Sequence, residues 1–182
     1  MVNIYKLRLT KLQQEILRLL FVKSGSELNQ RQVSKYLDVS QPAVKKALPE
    51  LKKIGFIKVS KDKESRRLSI KLNGDNHKVM QLKRADNLRQ IYESGLADYL
   101  EMEFAGATIV LFGSYSRGDD IEKSDIDVAV IGRKEKQIDL SKFEKQLGRN
   151  ININFYESLN RIHKNLKENL CNGIVLAGGV EL

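Results

Sequence analysis

One cysteine, two prolines and no tryptophan occur in this chain of 182 residues. A single cysteine excludes an internal disulfide and cannot by itself supply a structural zinc cluster. Cys171 is therefore expected to be a small buried hydrophobe. Only two histidines are present, His77 and His163. Neither has a ligand partner at metal spacing, and both read as surface residues. No apolar run approaches the ~20 residues that a membrane-spanning helix needs. The N-terminal stretch MVNIYKLRLTKLQQ is basic but lacks an apolar core followed by a small-residue cleavage site, so no secretory signal is read there. The expectation is a cytoplasmic chain with no membrane partner.

Acidic residues are scarce in one part of the chain only. From Met1 to Gly74 there are 17 lysines and arginines against 6 acids, a net +11. From Asp75 to Leu182 the numbers are 15 and 17, a net −2. The whole +9 excess thus belongs to the first two-fifths. This is the charge footprint of a polyanion-binding module joined to a near-neutral partner.

Apolar spacing predicts three helices in the basic part. Thr10 can cap the first, through about Val22, with Leu12, Ile16, Leu19 and Leu20 on one face. Asn29 caps a short second helix, Gln30 to Leu37, with Val33 and Leu37 inward. After the turn Asp38-Val39-Ser40, Ser40 caps a third helix that carries Pro42 in its first turn, where a missing N–H costs nothing. Its stripe is Val44, Ala47, Leu48, Leu51 and Ile54. Pro49 should kink this helix, yet the stripe continues on both sides of it. Gly55 fits the stop. Two strands follow, Phe56 to Val59 and Leu68 to Leu72, joined by a charged hairpin tip, Ser60 to Arg67.

The segment QRQVSKYLDVSQPAVKKALPELKKIGFIKV resembles the winged helix-turn-helix of archaeal and bacterial regulators. That resemblance implies a partner, double-stranded DNA, with the third helix in the major groove and the hairpin wing along the backbone. Ser40, Gln41, Pro42, Ala43, Lys45 and Lys46 would then face base edges or phosphates at the helix start. Lys61, Lys63, Arg66 and Arg67 would contact phosphate or the minor groove. A winged helix used for protein contact is the alternative.

Residues 75–104 read as connecting helix. Val79, Leu82, Leu88, Ile91, Tyr92, Leu96, Tyr99 and Leu100 recur at three- and four-residue spacing, with a break at Gly95. The stripe can pack on the next domain or form the seam of a homodimer.

From residue 105 the chemistry changes. Thr108 to Phe112 is a short buried strand that runs into Gly113-Ser114-Tyr115-Ser116-Arg117-Gly118. Ser124 to Ile131 is a second strand. Alternation puts Asp125, Asp127 and Ala129 on one face and Ile126, Val128 and Val130 on the other, toward a core. Two carboxylates ~7 Å apart along one strand face repel each other unless a cation lies between them. Oxygen ligands of this kind suit Mg²⁺ or Mn²⁺, which one or two carboxylates and substrate phosphates commonly hold. Gly113 allows close backbone approach, Ser114 can donate to a phosphate oxygen, and Arg117 can clamp it.

The string FGSYSRGDDIEKSDIDVAVIG resembles the minimal nucleotidyltransferases of the DNA polymerase beta-like superfamily. The likeness extends from about residue 105 to 182, with KENLCNGIVLAGGVEL similar to that group's C-terminal helix and strand. Together the two resemblances imply an α+β chain: winged helix over 1–74, connecting helix over 75–104, and a nucleotidyltransferase fold with a small mixed sheet over 105–182. The nucleotidyltransferase resemblance also implies that an NTP binds with its phosphates at Gly113-Ser114 and with metal on Asp125 and Asp127. Its NMP then passes to a hydroxyl acceptor. A helical HEPN-type partner protein is one acceptor that the resemblance suggests.

The same resemblance calls for a third acid on a later strand. That strand, Asn150 to Tyr156, offers Asn152 and Asn154 on the face opposite Ile151, Ile153 and Phe155. Asparagine carries no charge and cannot act as a base. Glu157 just beyond the strand and Glu144 on a preceding helix are the other candidates. The chain thus reads as an NMP transferase or as a DNA-binding regulator whose nucleotidyltransferase domain senses nucleotide without turnover.

Overall fold

Thr10 opens the first helix with a reciprocal cap. Its hydroxyl accepts from the Gln13 N–H at 3.3 Å, and the Gln13 side-chain oxygen accepts from the Thr10 N–H at 2.8 Å. Two donors that a helix start would otherwise leave unpaired are thereby satisfied. The computed structural model describes residues 8–61 and 68–179. The chain divides into two compact units, Met1–Val79 and Met80–Leu182.

In the first unit, α1 (Lys11–Val22) buries Ile16, Leu17, Leu20 and Phe21. The buried stripe is rotated from the expected one, and Leu12 and Leu19 are only half-buried. A two-residue strand, β1 (Leu28–Asn29), precedes α2 (Gln30–Leu37). Asn29 and Gln32 repeat the reciprocal cap. Asp38 ends α2 in the left-handed region at φ 51°, which a short polar side chain tolerates.

The third helix, α3 (Gln41–Lys53), starts on Ser40, whose hydroxyl accepts from the Ala43 N–H at 3.3 Å. It runs through Pro49 and buries Val44, Ala47, Leu48 and Leu51. β2 (Ile57–Lys61) and β3 (Leu68–Leu72) form an antiparallel hairpin, and the sheet order is β1-β3-β2. β2 starts one residue later than expected, because the Phe56 N–H still bonds to the Leu51 carbonyl at 2.9 Å and closes the end of α3. Three helices and a hairpin wing, with α2 and α3 joined by a tight turn, constitute a winged helix-turn-helix.

In the second unit the helical stretch breaks where expected. α4 (His77–Glu93) crosses the division between the units, and α5 (Leu96–Glu103) follows Gly95. Then come β4 (Thr108–Phe112), α6 (Gly113–Arg117), β5 (Ile126–Ile131), α7 (Ser141–Leu147), β6 (Ile151–Tyr156), α8 (Lys164–Cys171) and β7 (Ile174–Ala177). The sheet order is β6-β5-β4-β7. β5 and β6 are parallel and the other two pairs antiparallel.

Apart from Thr108 and Asp127, β4 and β5 carry only apolar side chains, and these pack on both faces of the sheet. On one, Ile109, Leu111, Ile126, Val128 and Val130 pack with Ile91, Leu96, Leu100 and Phe143. On the other, Val110, Ala129 and Ile131 pack with Leu159 and Leu170. Ala129 thus shares a face with the aspartates, as alternation requires, but is fully buried. The Asp-bearing face is open at one end of the strand and closed at the other.

Cys171 departs from expectation and is exposed. Leu170 carries the buried side of α8, and the next residue is turned about 100° away from it. Both histidines are exposed as expected. Among the described residues, no helix is long and apolar enough to cross a membrane.

Candidate functional site

β4 and β5 pair in register, with Phe112 opposite Asp127. The first residue of α6 therefore lies against the second aspartate. Gly113 has φ +74°, and a Cβ there would lie 2.7 Å from Asp127 Oδ2. The absence of a side chain at 113 is what makes room for the carboxylate. The expected Gly-Ser turn is a single short helical turn, closed by the Gly118 N–H bonding to the Ser114 carbonyl at 2.9 Å.

Parallel pairing of β5 with β6 sets Asn152 beside Asp127. The Asn152 amide donates to Asp125 Oδ2 at 3.1 Å and to Asp127 Oδ1 at 3.4 Å. Asn150 donates to Asp125 Oδ1 at 3.2 Å. Both carboxylates thus face a neutral amide, at the place where the sequence led one to look for a third acid. Asn154 is two residues further, opposite Ala129. Among the described residues, no cluster of three or more His, Cys, Asp or Glu side chains is disposed to hold a metal. The convergent donors are two carboxylates and an amide, an all-oxygen set once the amide turns its carbonyl inward. That set suits Mg²⁺ completed by phosphate oxygens. Tyr156 lies on the same face. Its phenol is pushed up by burial first and by the charge of Asp127 second.

Neither glutamate fills the third position. Glu157 follows Tyr156 at the closed end of the strands, lining a cavity with Ile131 and Gly132 and pairing with Arg161. Asp125 and Asp127 are at the opposite end. Glu144 is nearer, beside a cleft of about 270 Å³ that also touches Asp125 and Asn150. Its carboxylate accepts the Ile151 N–H at 3.0 Å, which ties it to the start of β6. Arg117 is half-exposed and pairs with Asp119 at 3.2 Å.

A cluster that the sequence reading missed lies behind the loop between α6 and β5. Lys83 is fully buried, Asp120 is 1% and Arg149 8% exposed. The Lys83 ammonium donates to Asp120 Oδ1, to the Asp120 carbonyl at 2.8 Å and to the Gly118 carbonyl at 3.1 Å. Asn87 donates to Asp120 Oδ1 at 2.7 Å and to the Tyr115 carbonyl at 2.9 Å. Arg149 reaches Asp120 Oδ2 at 2.9 Å, the Ser124 carbonyl at 2.8 Å and the Ile121 carbonyl. Its guanidinium also sits over the Tyr115 ring, 5.6 Å from the centroid. Burial pushes the Lys83 ammonium down, while Asp120 pulls it up. Burial likewise pushes the Tyr115 phenol up, ahead of the charge of Asp120. A signal was present in the sequence. Val79, Lys83, Asn87 and Ile91 form one i, i+4 ridge, and its two ends are fully buried apolar residues.

In the first unit, Gln41, Lys45 and Lys46 are exposed along the first two turns of α3, and Lys61 is exposed at the end of β2. Ser40 is exposed but spends its hydroxyl on the cap. Lys63, Arg66 and Arg67 lie outside the described residues.

This unit is thus an α+β domain with a small mixed sheet, an aspartate pair at one strand end and a Gly-Ser helix start beside it. Residues 93–175 match the family described as nucleotidyltransferase domain, and this part of the chain is such a domain. No curated protein matches the chain. Among solved structures, a point mutant of MepR from a multidrug-resistant S. aureus clinical isolate is 25% identical, with a TM-score of 0.37, over 42% of this chain and 56% of that one. A cysteine-to-serine mutant of ZitR from Lactococcus lactis is 25% identical, with a TM-score of 0.39, over 56% of this chain and 64% of that one. The chain therefore spans less than two thirds of the length of both. A MepR–DNA complex from S. aureus is 24% identical, with a TM-score of 0.38, over 52% of this chain and 78% of that one.

Proposed function

We propose that this protein binds double-stranded DNA through its winged helix and transfers NMP from an NTP to a hydroxyl acceptor at the Asp125–Asp127 site. The observation that carries the transferase half is the convergence of Gly113, Asp125 and Asp127 where β4 and β5 pair. Asp125, Asp127 and the Asn152 carbonyl would hold Mg²⁺ or Mn²⁺, which supplies charge stabilisation at the phosphates when bound. Gly113 and Ser114 would receive the phosphate tail, and Arg117 would leave Asp119 to reach it. The acceptor oxygen attacks the α-phosphorus, the bond to the bridging oxygen breaks, and pyrophosphate leaves with the electron pair. Solvent takes the acceptor proton, because Asn152 has no basic atom for it. A hydroxyl on a helical HEPN-type partner is one acceptor within this reading. Homodimerisation, which pairs two winged helices on a two-fold DNA site, also belongs to the proposal.

Asn152 favours a second reading. A positioned general base is commonly worth ~10²–10⁴ in rate. Without one, the domain would bind nucleotide and tune DNA binding rather than turn over. Incubating the full chain and a cell extract with each α-labelled NTP and Mg²⁺ separates the two. Label on protein or nucleic acid that disappears with Asp125→Ala plus Asp127→Ala supports transfer. Absence of label, with saturable nucleotide binding in calorimetry, supports sensing. A result with neither label nor binding refutes both.

A further inference from the structure

Two buried cations grip one short loop. Between α6 and β5, residues 118–124 contain no regular structure beyond a turn, yet four of their carbonyls are held by side chains from elsewhere in the unit. Lys83 on α4 takes Gly118 and Asp120. Arg149, just before β6, takes Ile121 and Ser124. Between the two cations lies a single carboxylate, Asp120, each of whose oxygens faces one of them. Ser124 immediately precedes Asp125. The last of these bonds therefore fixes the peptide from which the first carboxylate of the pair projects.

Such a cluster is a poor means of gaining stability. Taking a lysine, an arginine and an aspartate out of water is costly, and apolar residues of the same volume often serve as well or better. Directional bonds are what a charged cluster supplies and an apolar one cannot. Arginine's planar fork is the extreme case, because it fixes two acceptors in one plane. Here the fork spans Ile121, Ser124 and Asp120, three points on the loop. The exposed pair Arg161–Glu157, by contrast, joins residues only four apart.

We infer that Lys83, Asp120 and Arg149 are positioning residues that hold the 118–124 loop so that Asp125 and Asp127 meet a metal–nucleotide complex in one fixed geometry. The inference rests on the nucleotide reading above for its ligand, but its structural half is independent of it. Arg149→Lys separates positioning from folding. A lysine there keeps an opposite charge for Asp120, but its single ammonium cannot stand both where Nη1 takes Ile121 and Ser124 and where Nη2 takes Asp120. Lys83→Met is the companion variant, which removes the other half of the grip and leaves Arg149 in place.

The test uses full-length chains well below their melting temperatures. Backbone amide hydrogen exchange over 118–127 is read without any ligand. Calorimetry then measures the affinity for Mn²⁺ with α,β-methylene-ATP. For Arg149→Lys the expected result is faster exchange confined to 118–127, a melting temperature within a few degrees of wild type, and at least tenfold weaker Mn²⁺–nucleotide binding. Lys83→Met should show the same local exchange even if its melting point drops further. Unchanged exchange over 118–127 in both variants overturns the inference, whatever the calorimetry shows. Wild-type nucleotide affinity in both variants also overturns it. If the wild type itself binds no Mn²⁺–nucleotide, the nucleotide reading fails, and local exchange alone then decides whether the cluster positions the loop.

Discussion

Gly113→Ala is the sharpest probe of the site, because the cost can be divided in advance. Gly113 and Gly95 have nearly the same backbone angle, φ +74° and +78°. An L-residue in that region costs about 1–2 kcal/mol, so both alanine variants carry that term. They differ in what the new methyl meets. At Gly95 nothing lies within 4 Å, whereas at Gly113 the methyl lies 2.7 Å from Asp127 Oδ2. To reach ordinary contact at 3.4 Å the carboxylate must move by several tenths of an ångström, away from Gly113 and against Asn152.

Overpacking of this size adds about 1–3 kcal/mol. Gly95→Ala should therefore cost about 1–2 kcal/mol, and Gly113→Ala about 2–5 kcal/mol. Urea denaturation followed by circular dichroism, fitted with separate transitions for the two units, measures the difference. Calorimetry of Mg²⁺–ATP binding should show the affinity lost in Gly113→Ala and kept in Gly95→Ala. Equal destabilisation of the two variants, with nucleotide binding intact in both, would refute the placement of Asp127 against Gly113 as the heart of the site.

Three further outcomes are expected. Asn152→Asp puts a third carboxylate beside the pair and should raise label transfer by about 10²–10⁴-fold; no gain, with protein and nucleotide binding intact, would show that the missing acid is not what limits the chemistry. Lys45→Ala with Lys46→Ala should weaken DNA binding on all sequences and flatten the log-affinity against log-salt slope by about one unit per lysine, read by fluorescence anisotropy between about 50 and 200 mM salt; an unchanged slope would remove both from the phosphate contacts. In the wing sheet, hydrogen bonds from Lys71 and Ser69 hold the Glu27 carboxyl below its ordinary 4.5, and Glu27 holds the Lys71 ammonium above its ordinary 10.5. The stabilisation from the Glu27 side is thus full above about pH 4.5 and lost as pH falls through the lowered value. From the Lys71 side it is full below pH 10.5 and lost as pH rises through the raised value. NMR titration of the Glu27 carboxyl should give a midpoint below 4.5, and a midpoint at or above it would break the pair.

Much of the molecule was legible in the one-dimensional string because the governing forces are local. Caps at Thr10, Asn29 and Ser40, the helix break at Gly95 and the alternation from Asp125 to Val130 depend on neighbours within four residues. So did the Gly-Ser and Asp-x-Asp pattern that located the candidate site. Charge asymmetry needed only counting. What could not be read were the pairings between distant segments. That Asn152 and not Asn154 stands beside the aspartates is a matter of β5–β6 register, and a slip of two residues would exchange them. The burial of Ala129 depends on Leu159 and Leu170 closing one end of that face, and the exposure of Cys171 on which side of α8 faces the sheet. The Lys83–Asp120–Arg149 cluster joins residues 29 and 37 positions apart. A charged side chain far along the chain finds its partner only when the fold withdraws both from water, and no local rule of periodicity carries that information.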